Sequence, residues 1–275
     1  MKRNILLAVA PVGKVPGVPE GNPARPDEVA REAVACARAG AAMVHLHVRD
    51  AGGVQTSSLA DYSRTLDLIR AESDIIIQGS TGGLSDLSLE ERCVSLDEPR
   101  TQVASLNMGS TNVGDTVYVN TLNDIRYWAR RMRDAAVAPE MEIFSLGMFG
   151  AVDALAAEGL VAEAPEHRNY NFALGFDGAL PADMESLLAL KARLPGPLGF
   201  GVLHEGFDGF GFLAGALAAG ATGIRVGFED GWTTAPGRRA RSNRELVDQA
   251  VELLDRLGYG VMSIDEAASR LGVRK

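Results

Sequence analysis

His45-Leu46-His47-Val48-Arg49-Asp50 places two imidazoles two residues apart at the end of an apolar run. In an extended chain, residues i and i+2 share a face, so both rings aim the same way, a natural start to a metal site. A carboxylate to complete it stands far downstream, in Ile224-Arg225-Val226-Gly227-Phe228-Glu229-Asp230. His45, His47 and Glu229 then form a two-histidine, one-carboxylate set of the kind that holds catalytic zinc with one coordination position open. Arg225 can clamp a carboxylate or hold an acidic neighbour in its ionised form, which leaves Asp230 to serve as a base. The competing account makes His45 a satisfied core imidazole and Arg225 with Glu229 a structural ion pair. The chain has four histidines and spends two of them here, which favours the metal.

Other polar clusters carry candidate roles of their own. In Ser80-Thr81-Gly82-Gly83 the glycines clear the backbone so that amide N–H groups can approach an anion, while Ser80 and Thr81 offer hydroxyls; a plain tight loop has the same composition. Asn107, in Ala104-Ser105-Leu106-Asn107, can donate and accept around a substrate oxygen or satisfy the adjacent turn, and Ser105 shares its side of the strand. Glu142, between Met141 and Ile143, points inward if that segment is a strand, and a carboxylate there needs a partner. His204, beside Glu205, reads as either a substrate contact or a loop residue, and His167 as a surface side chain.

Those residues need a scaffold. Apolar runs at Ile5 to Ala10, Ala42 to Val48, Asp74 to Gln78, Val103 to Asn107, Met141 to Ser145, Tyr170 to Leu174, Leu198 to Leu203 and Gly223 to Val226 read as strands. Between them lie helical or helix-sized segments: Pro26 to Ala39, Leu59 to Glu72, Thr121 to Ala136, Phe149 to Glu158, Pro181 to Leu190 and Gly209 to Ala219 are the clearest. Eight strands alternating with helices imply a parallel sheet with buried strands, and the count favours an α/β (β/α)8 TIM barrel. A doubly wound open sheet is the competitor. The Gly79 to Gly83 turn lacks dinucleotide spacing and a Walker lysine, whereas a barrel puts every polar cluster above at a strand's carboxyl end. The whole chain, 1–275, reads as one domain, with Asn243 to Leu257 as the helix after strand eight. Ser263 to Leu271 forms a short C-terminal extension opened by a Ser263/Glu266 capping box.

Composition narrows the function class. A net charge of -9 offers no basic surface for nucleic acid. No stretch approaches the roughly 20 apolar residues of a membrane span. Glycine and proline break the first apolar run before any cleavage signal, so it reads as a strand rather than a signal peptide. Cys36 and Cys93 are isolated and read as inert thiols of a cytoplasmic protein.

The same residues carry a resemblance. The chain is similar to the β-keto acid cleavage enzyme family, whose first characterised members cleave 3-keto-5-aminohexanoate. The specific parts are HLHVRD at His45 to Asp50, the Thr81-Gly82-Gly83 turn, ASLNMGS at Ala104 to Ser110, and RVGFED at Arg225 to Asp230 followed by Ser242-Asn243. The resemblance implies a Zn2+-bearing (β/α)8 barrel, a homotetramer, that combines a β-keto acid with acetyl-CoA to release acetoacetate and a new acyl-CoA. It makes His45, His47 and Glu229 the zinc ligands, puts Asp230 and Arg225 in the proton-transfer machinery, and sets Ser80, Thr81, Gly82, Gly83, Ser105, Asn107 and Glu142 around the substrate. The expected order has zinc polarising the ketone, Asp230 taking an α-proton from acetyl-CoA, and the resulting enolate attacking the ketone before retro-Claisen cleavage.

Three departures stand out. Leu203-His204-Glu205-Gly206 replaces the family's usual Gly-Arg at the end of strand seven, Gly231-Trp232 follows Glu229-Asp230 where asparagine is usual, and the loop Gly13 to Gly17 lacks an acidic residue. The resemblance thus implies a retained metal and base with an altered substrate pocket; His204 then reads as either a substitute for the missing arginine or a loop residue without a role. A metal-dependent aldolase or hydrolase acting on a small keto acid without acetyl-CoA is the alternative from the same residues. A small-acid binding protein without turnover is a third.

Overall fold

The computed structural model describes residues 2–14, 19–82, 86–206 and 209–274. Its eight barrel strands, here numbered one to eight, are Asn4–Val9, Met43–Leu46, Ile76–Gly79, Val103–Asn107, Ala138–Ile143, Asn169–Leu174, Phe200–His204 and Gly223–Val226. Each pairs in parallel with the next, and strand eight returns to strand one through Leu6 to Val9 against Gly223 to Val226, closing the barrel. The helix Pro26–Ala39 follows strand one and Leu59–Arg70 follows strand two. Further along the chain come Leu122–Asp134, Met148–Ala157, Met184–Lys191, Gly211–Ala218 and Asn243–Arg256. Between strands three and four the described residues form a short 3-10 segment, Glu91–Asp97, and no α-helix. Among the described residues no helix is long and apolar enough to cross a membrane.

Alternation along each strand sorts the side chains. Ile5, Leu7 and Val9 face outward and join Val29, Ala33 and the other apolar helix residues in the main core, while Leu6 and Ala8 face inward. The helix ends are capped as their sequences demand: Ser58 accepts from Asp61 N, Thr121 from Asp124 N and Ser263 from Glu266 N, with Glu266 returning a bond to Ser263 N at 2.8 Å.

The C-terminal segment closes the bottom of the barrel. Gly260–Val261 pairs with Asn4 and Ile5 beside strand one. The helix Ile264–Leu271 then lays Ala267, Ala268 and Leu271 on Leu6, Met43, Ile76 and Val103. A fully buried leucine contributes about 1.5–3 kcal/mol, so this plug is a sizeable part of the inner core.

An ion pair between buried Glu98 and half-buried Arg100 tethers the approach to strand four. Glu98 accepts from Arg100 Nε at 2.8 Å and from Ser63 Oγ at 2.5 Å, and the Arg100 hydrogen bonds draw its carboxyl down to about 2. A depressed carboxylate stabilises the fold fully above its ordinary value near 4.5, and that contribution fades as pH falls toward 2. Glu98→Gln is therefore expected to cost about 1.5–3 kcal/mol at pH 7 and much less at pH 3. Urea unfolding midpoints of both proteins at the two pH values test this; an equal gap at both would contradict it.

Candidate active site

The carboxyl ends of the strands surround a cavity of about 320 Å³. His45 and His47 reach it from strand two and the loop beyond, because Met43, His45 and His47 share the inward face. Glu229 arrives from the turn after strand eight, which Gly227 makes possible. Gly227 has φ +139°, and a Cβ there would lie 2.2 Å from the Ala10 carbonyl oxygen. The turn is fixed by Glu229 N donating to Ala10 O and by Asp230 N and Gly231 N donating to Gly227 O.

Three donors converge there. His45 Nε2 lies 3.7 Å from Glu229 Oε1, and His47 Nε2 lies 3.6 Å from Glu229 Oε2. Both separations are too long for hydrogen bonds and close to the spacing of two donors that each sit about 2 Å from one tetrahedral ion. The triad's ligand atoms all fall within 4.8 Å of one another. Burial pushes the His45 imidazole down to about 3, so it is neutral, the form that ligates metal. Burial works to raise the Glu229 carboxyl, but the two imidazoles beside it and the permanent charge of Arg225 hold it well below the usual carboxylate range. The donor set, its protonation and its spacing fit a divalent cation.

Arg225 organises the acids. Its Nε donates to Asp230 Oδ2 at 2.9 Å and its Nη2 to Asp230 Oδ1 at 2.6 Å, a bidentate pair; Nη2 also reaches Glu229 Oε1 at 3.3 Å. Nη1 lies 3.7 Å from Glu142 Oε1 and makes no hydrogen bond among the described residues. Burial pushes Glu142 up to about 8 and Asp230 up to about 6, in both cases against the pull of Arg225. Near pH 7 the site thus holds an ionised Asp230 paired with Arg225, a protonated Glu142, and an anionic Glu229 whose charge has no full partner in the protein. That leftover charge is what a cation would neutralise.

The other sequence candidates divide. Ser80, Gly82 and Ser105 line the cavity with Glu142 and Arg225. Thr81 does not: its hydroxyl donates to Ser105 O at 2.6 Å and ties two strand ends together. Asn107, expected at the substrate, is not among the lining residues: its Oδ1 accepts from Gly109 N, the alternative turn role, while its buried Nδ2 has no partner among the described residues. Gly83 lies outside the described residues. His204 departs from expectation. On strand seven it is Leu203 that lines the cavity, and alternation turns the next side chain, His204, toward the helix layer, where its ring packs edge-on against Phe212 at 5.0 Å. It is not among the residues that line the cavity. His167 is exposed, as expected.

Several lining residues escaped the sequence reading. Val113 and Tyr118 come from an antiparallel hairpin, Thr111–Val113 with Thr116–Tyr118, inserted after strand four. Tyr118 sits so close over Gly82 that a Cβ there would meet its hydroxyl at 1.6 Å, so the glycine makes room for the tyrosine rather than baring the backbone alone. Phe144, Phe176, Lys14, Arg49 and Gln55 also line the cavity. Lys14 pairs with Glu205 and stands over the Phe176 ring. Phe144 was findable, since it continues the inward parity of Glu142; the hairpin was announced by its Gly114-Asp115 turn between the short segments Thr111–Val113 and Thr116–Tyr118.

A closed (β/α)8 barrel with convergent donors and a buried acid–base cluster at its carboxyl face is the build of an enzyme. The chain belongs to the β-keto acid cleavage enzyme family: that family's sequence pattern matches residues 4–273. It is 36% identical over 261 residues to the 3-keto-5-aminohexanoate cleavage enzyme of Acetoanaerobium sticklandii, covering 93% of this chain and 94% of that one. It is 31% identical to the 3-oxoadipate:acetyl-CoA acetyltransferase of Cupriavidus necator, covering 99% and 96%. The 3-dehydrocarnitine:acetyl-CoA trimethylamine transferase of Rhizobium meliloti matches at 28% over 100% and 98%. Among solved structures, the apo form of ObcA superposes with a TM-score of 0.72 at 20% identity. That match covers 91% of this chain and 65% of the longer ObcA chain, and it bears on the fold alone.

Proposed function

We propose that this protein is a zinc-dependent β-keto acid cleavage enzyme that converts a β-keto acid and acetyl-CoA into acetoacetate and a new acyl-CoA. The observation that carries the reading is the convergence of His45, His47 and Glu229 on the cavity that Arg225 and Glu142 also face. Zinc held there would supply Lewis-acid polarisation of the β-keto oxygen.

Atom balance revises the order of steps expected from the resemblance. An acetyl-CoA enolate adding to the ketone would, on cleavage, give a β-ketoacyl-CoA and acetate. Acetoacetate requires instead that C2 of the keto acid bond to the acetyl carbonyl carbon with loss of CoA thiolate. The thiolate then adds to the original ketone, the C2–C3 bond breaks, and C2 regains a proton. Asp230, ionised near pH 7, accepts the C2 proton and returns it, and to do so it releases one of its two contacts with Arg225. Protonated Glu142 and Arg225 Nη1 donate to oxygens that gain charge. Two carboxyls pushed to about 6 and about 8 in one site suit a base and an acid respectively. Ser80 and Ser105 add hydroxyl donors at the cavity wall.

The test is thioester exchange: zinc-loaded protein, acetyl-CoA and a panel of β-keto acids, with each new acyl-CoA identified by mass and metal-free protein as the control. A new thioester formed only with metal and both substrates supports the reading. Keto acid consumed without acetyl-CoA would instead support an aldolase or hydrolase. The reading includes a cytoplasmic homotetramer, and light scattering on the purified protein tests the assembly.

A further inference from the structure

Below the triad, a line of buried polar side chains runs from His45 into the barrel interior, away from the cavity. His45 Nδ1 lies 2.9 Å from Gln78 Oε1, Gln78 Nε2 donates to Glu140 Oε1 at 2.9 Å, and Asn171 Nδ2 donates to the same oxygen at 2.9 Å. All four residues are buried, and they come from strands two, three, five and six, crossing the barrel. Gly201 on strand seven leaves the space for Asn171, since a Cβ there would lie 2.9 Å from Asn171 Oδ1. The partly buried Arg270 of the C-terminal helix sets a positive charge whose field reaches Glu140.

We propose that Glu140 is a positioning residue for the metal centre, acting through Gln78 to fix which nitrogen of His45 is free to bind. A glutamine amide can turn either end toward a histidine. With Glu140 oxygen on one side, the Gln78 NH2 must face it, so the Gln78 carbonyl faces His45. That carbonyl only accepts, so His45 carries its proton on Nδ1 and presents a bare Nε2 toward Glu229. Groups beyond a ligating histidine typically change metal affinity 10–100-fold when removed. Glu140→Gln keeps shape and volume but lets residue 140 offer an NH2, so Gln78 can turn and His45 loses its fixed tautomer.

This role rests on the metal reading, and the experiment separates the two. Zinc affinity would be measured by chelator competition for the unsubstituted protein, Glu140→Gln, and the exchanged pair Glu140→Gln with Gln78→Glu, in which an acceptor again faces His45. Imidazole 15N shifts of the metal-free proteins would report the tautomer, with only four histidines to assign. The expected result is Nδ1-protonated His45 in the parent, at least about tenfold weaker zinc binding with mixed tautomers in the single variant, and recovery in the pair. Unchanged affinity in Glu140→Gln, loss without recovery in the pair, or an Nε2-protonated His45 in the parent would overturn the role while leaving the metal site standing. No stoichiometric zinc binding by the parent would overturn both. Should the single variant fail to fold, the parent's tautomer still decides.

Discussion

Glu229→Gln is expected to strip the protein of tightly held zinc and to lower turnover by on the order of a thousandfold or more. The substitution removes one negative charge and leaves the volume unchanged, and its remaining carbonyl can still accept from Arg225 Nη2, now at 3.3 Å from Glu229 Oε1. Stability should therefore change little. The metal would lose the carboxylate of a set whose other two donors are imidazoles. Lewis-acid stabilisation is worth several kcal/mol, and about 4 kcal/mol corresponds to a thousandfold in rate. Metal content after dialysis and thioester exchange at saturating substrate check the two halves separately. Full activity in a variant depleted of metal would remove the cation from the chemistry altogether.

Arg225→Met is expected to have the largest effect on stability in the site. The guanidinium is buried among Asp230, Glu229 and Glu142 and is bonded twice to the first of them. Removing one partner of a buried ion pair costs about 3–5 kcal/mol, because the charge left behind has lost its hydration and its counter-ion. Here that charge is Asp230, so its carboxyl should rise further and the variant should recover part of the loss as pH is lowered. Arg225→Lys restores a charge but not the two-point grip on Asp230, and is expected to regain stability without regaining turnover. Urea unfolding at pH 7 and pH 5, with exchange rates for both variants, tests this. A loss below about 1 kcal/mol for the methionine variant would mean that Asp230 is protonated at neutral pH and that Arg225 does not stabilise it.

The residues that build the barrel announced themselves unevenly. The helix Pro26–Ala39 and strands Val103–Asn107 and Gly223–Val226 were read residue for residue, since each is apolar on the buried face and bounded by proline, glycine or a polar cap. Strand five was expected from Met141 onward and begins at Ala138, because Pro139 and Glu140 look like loop residues to any criterion based on apolar runs. Above the apolar plug of Leu6, Met43, Ile76 and Val103 the interior of this barrel is polar, so the signal that marks an ordinary buried strand is missing where the chemistry lies. The same property hid Gln78, Glu140 and Asn171. The triad was legible because its residue types are few and its spacing fits one strand face. His204 was not, since one residue of strand parity decides between cavity and helix layer, and chemistry-bearing side chains look the same from either side.

The two histidines enter the cavity from strand two and Glu229 follows strand eight, so strand one runs between the ligands. That strand is also the seam, the place where the last strand of the barrel meets the first. An ion gripped from both sides of the seam would act as a clasp. A partly made chain, or a barrel sprung open at this joint, would have one half of the clasp and could not hold the metal tightly. Occupancy would then report closure of the whole molecule, and the stabilisation that free metal confers by mass action would be felt across every strand rather than near the site alone.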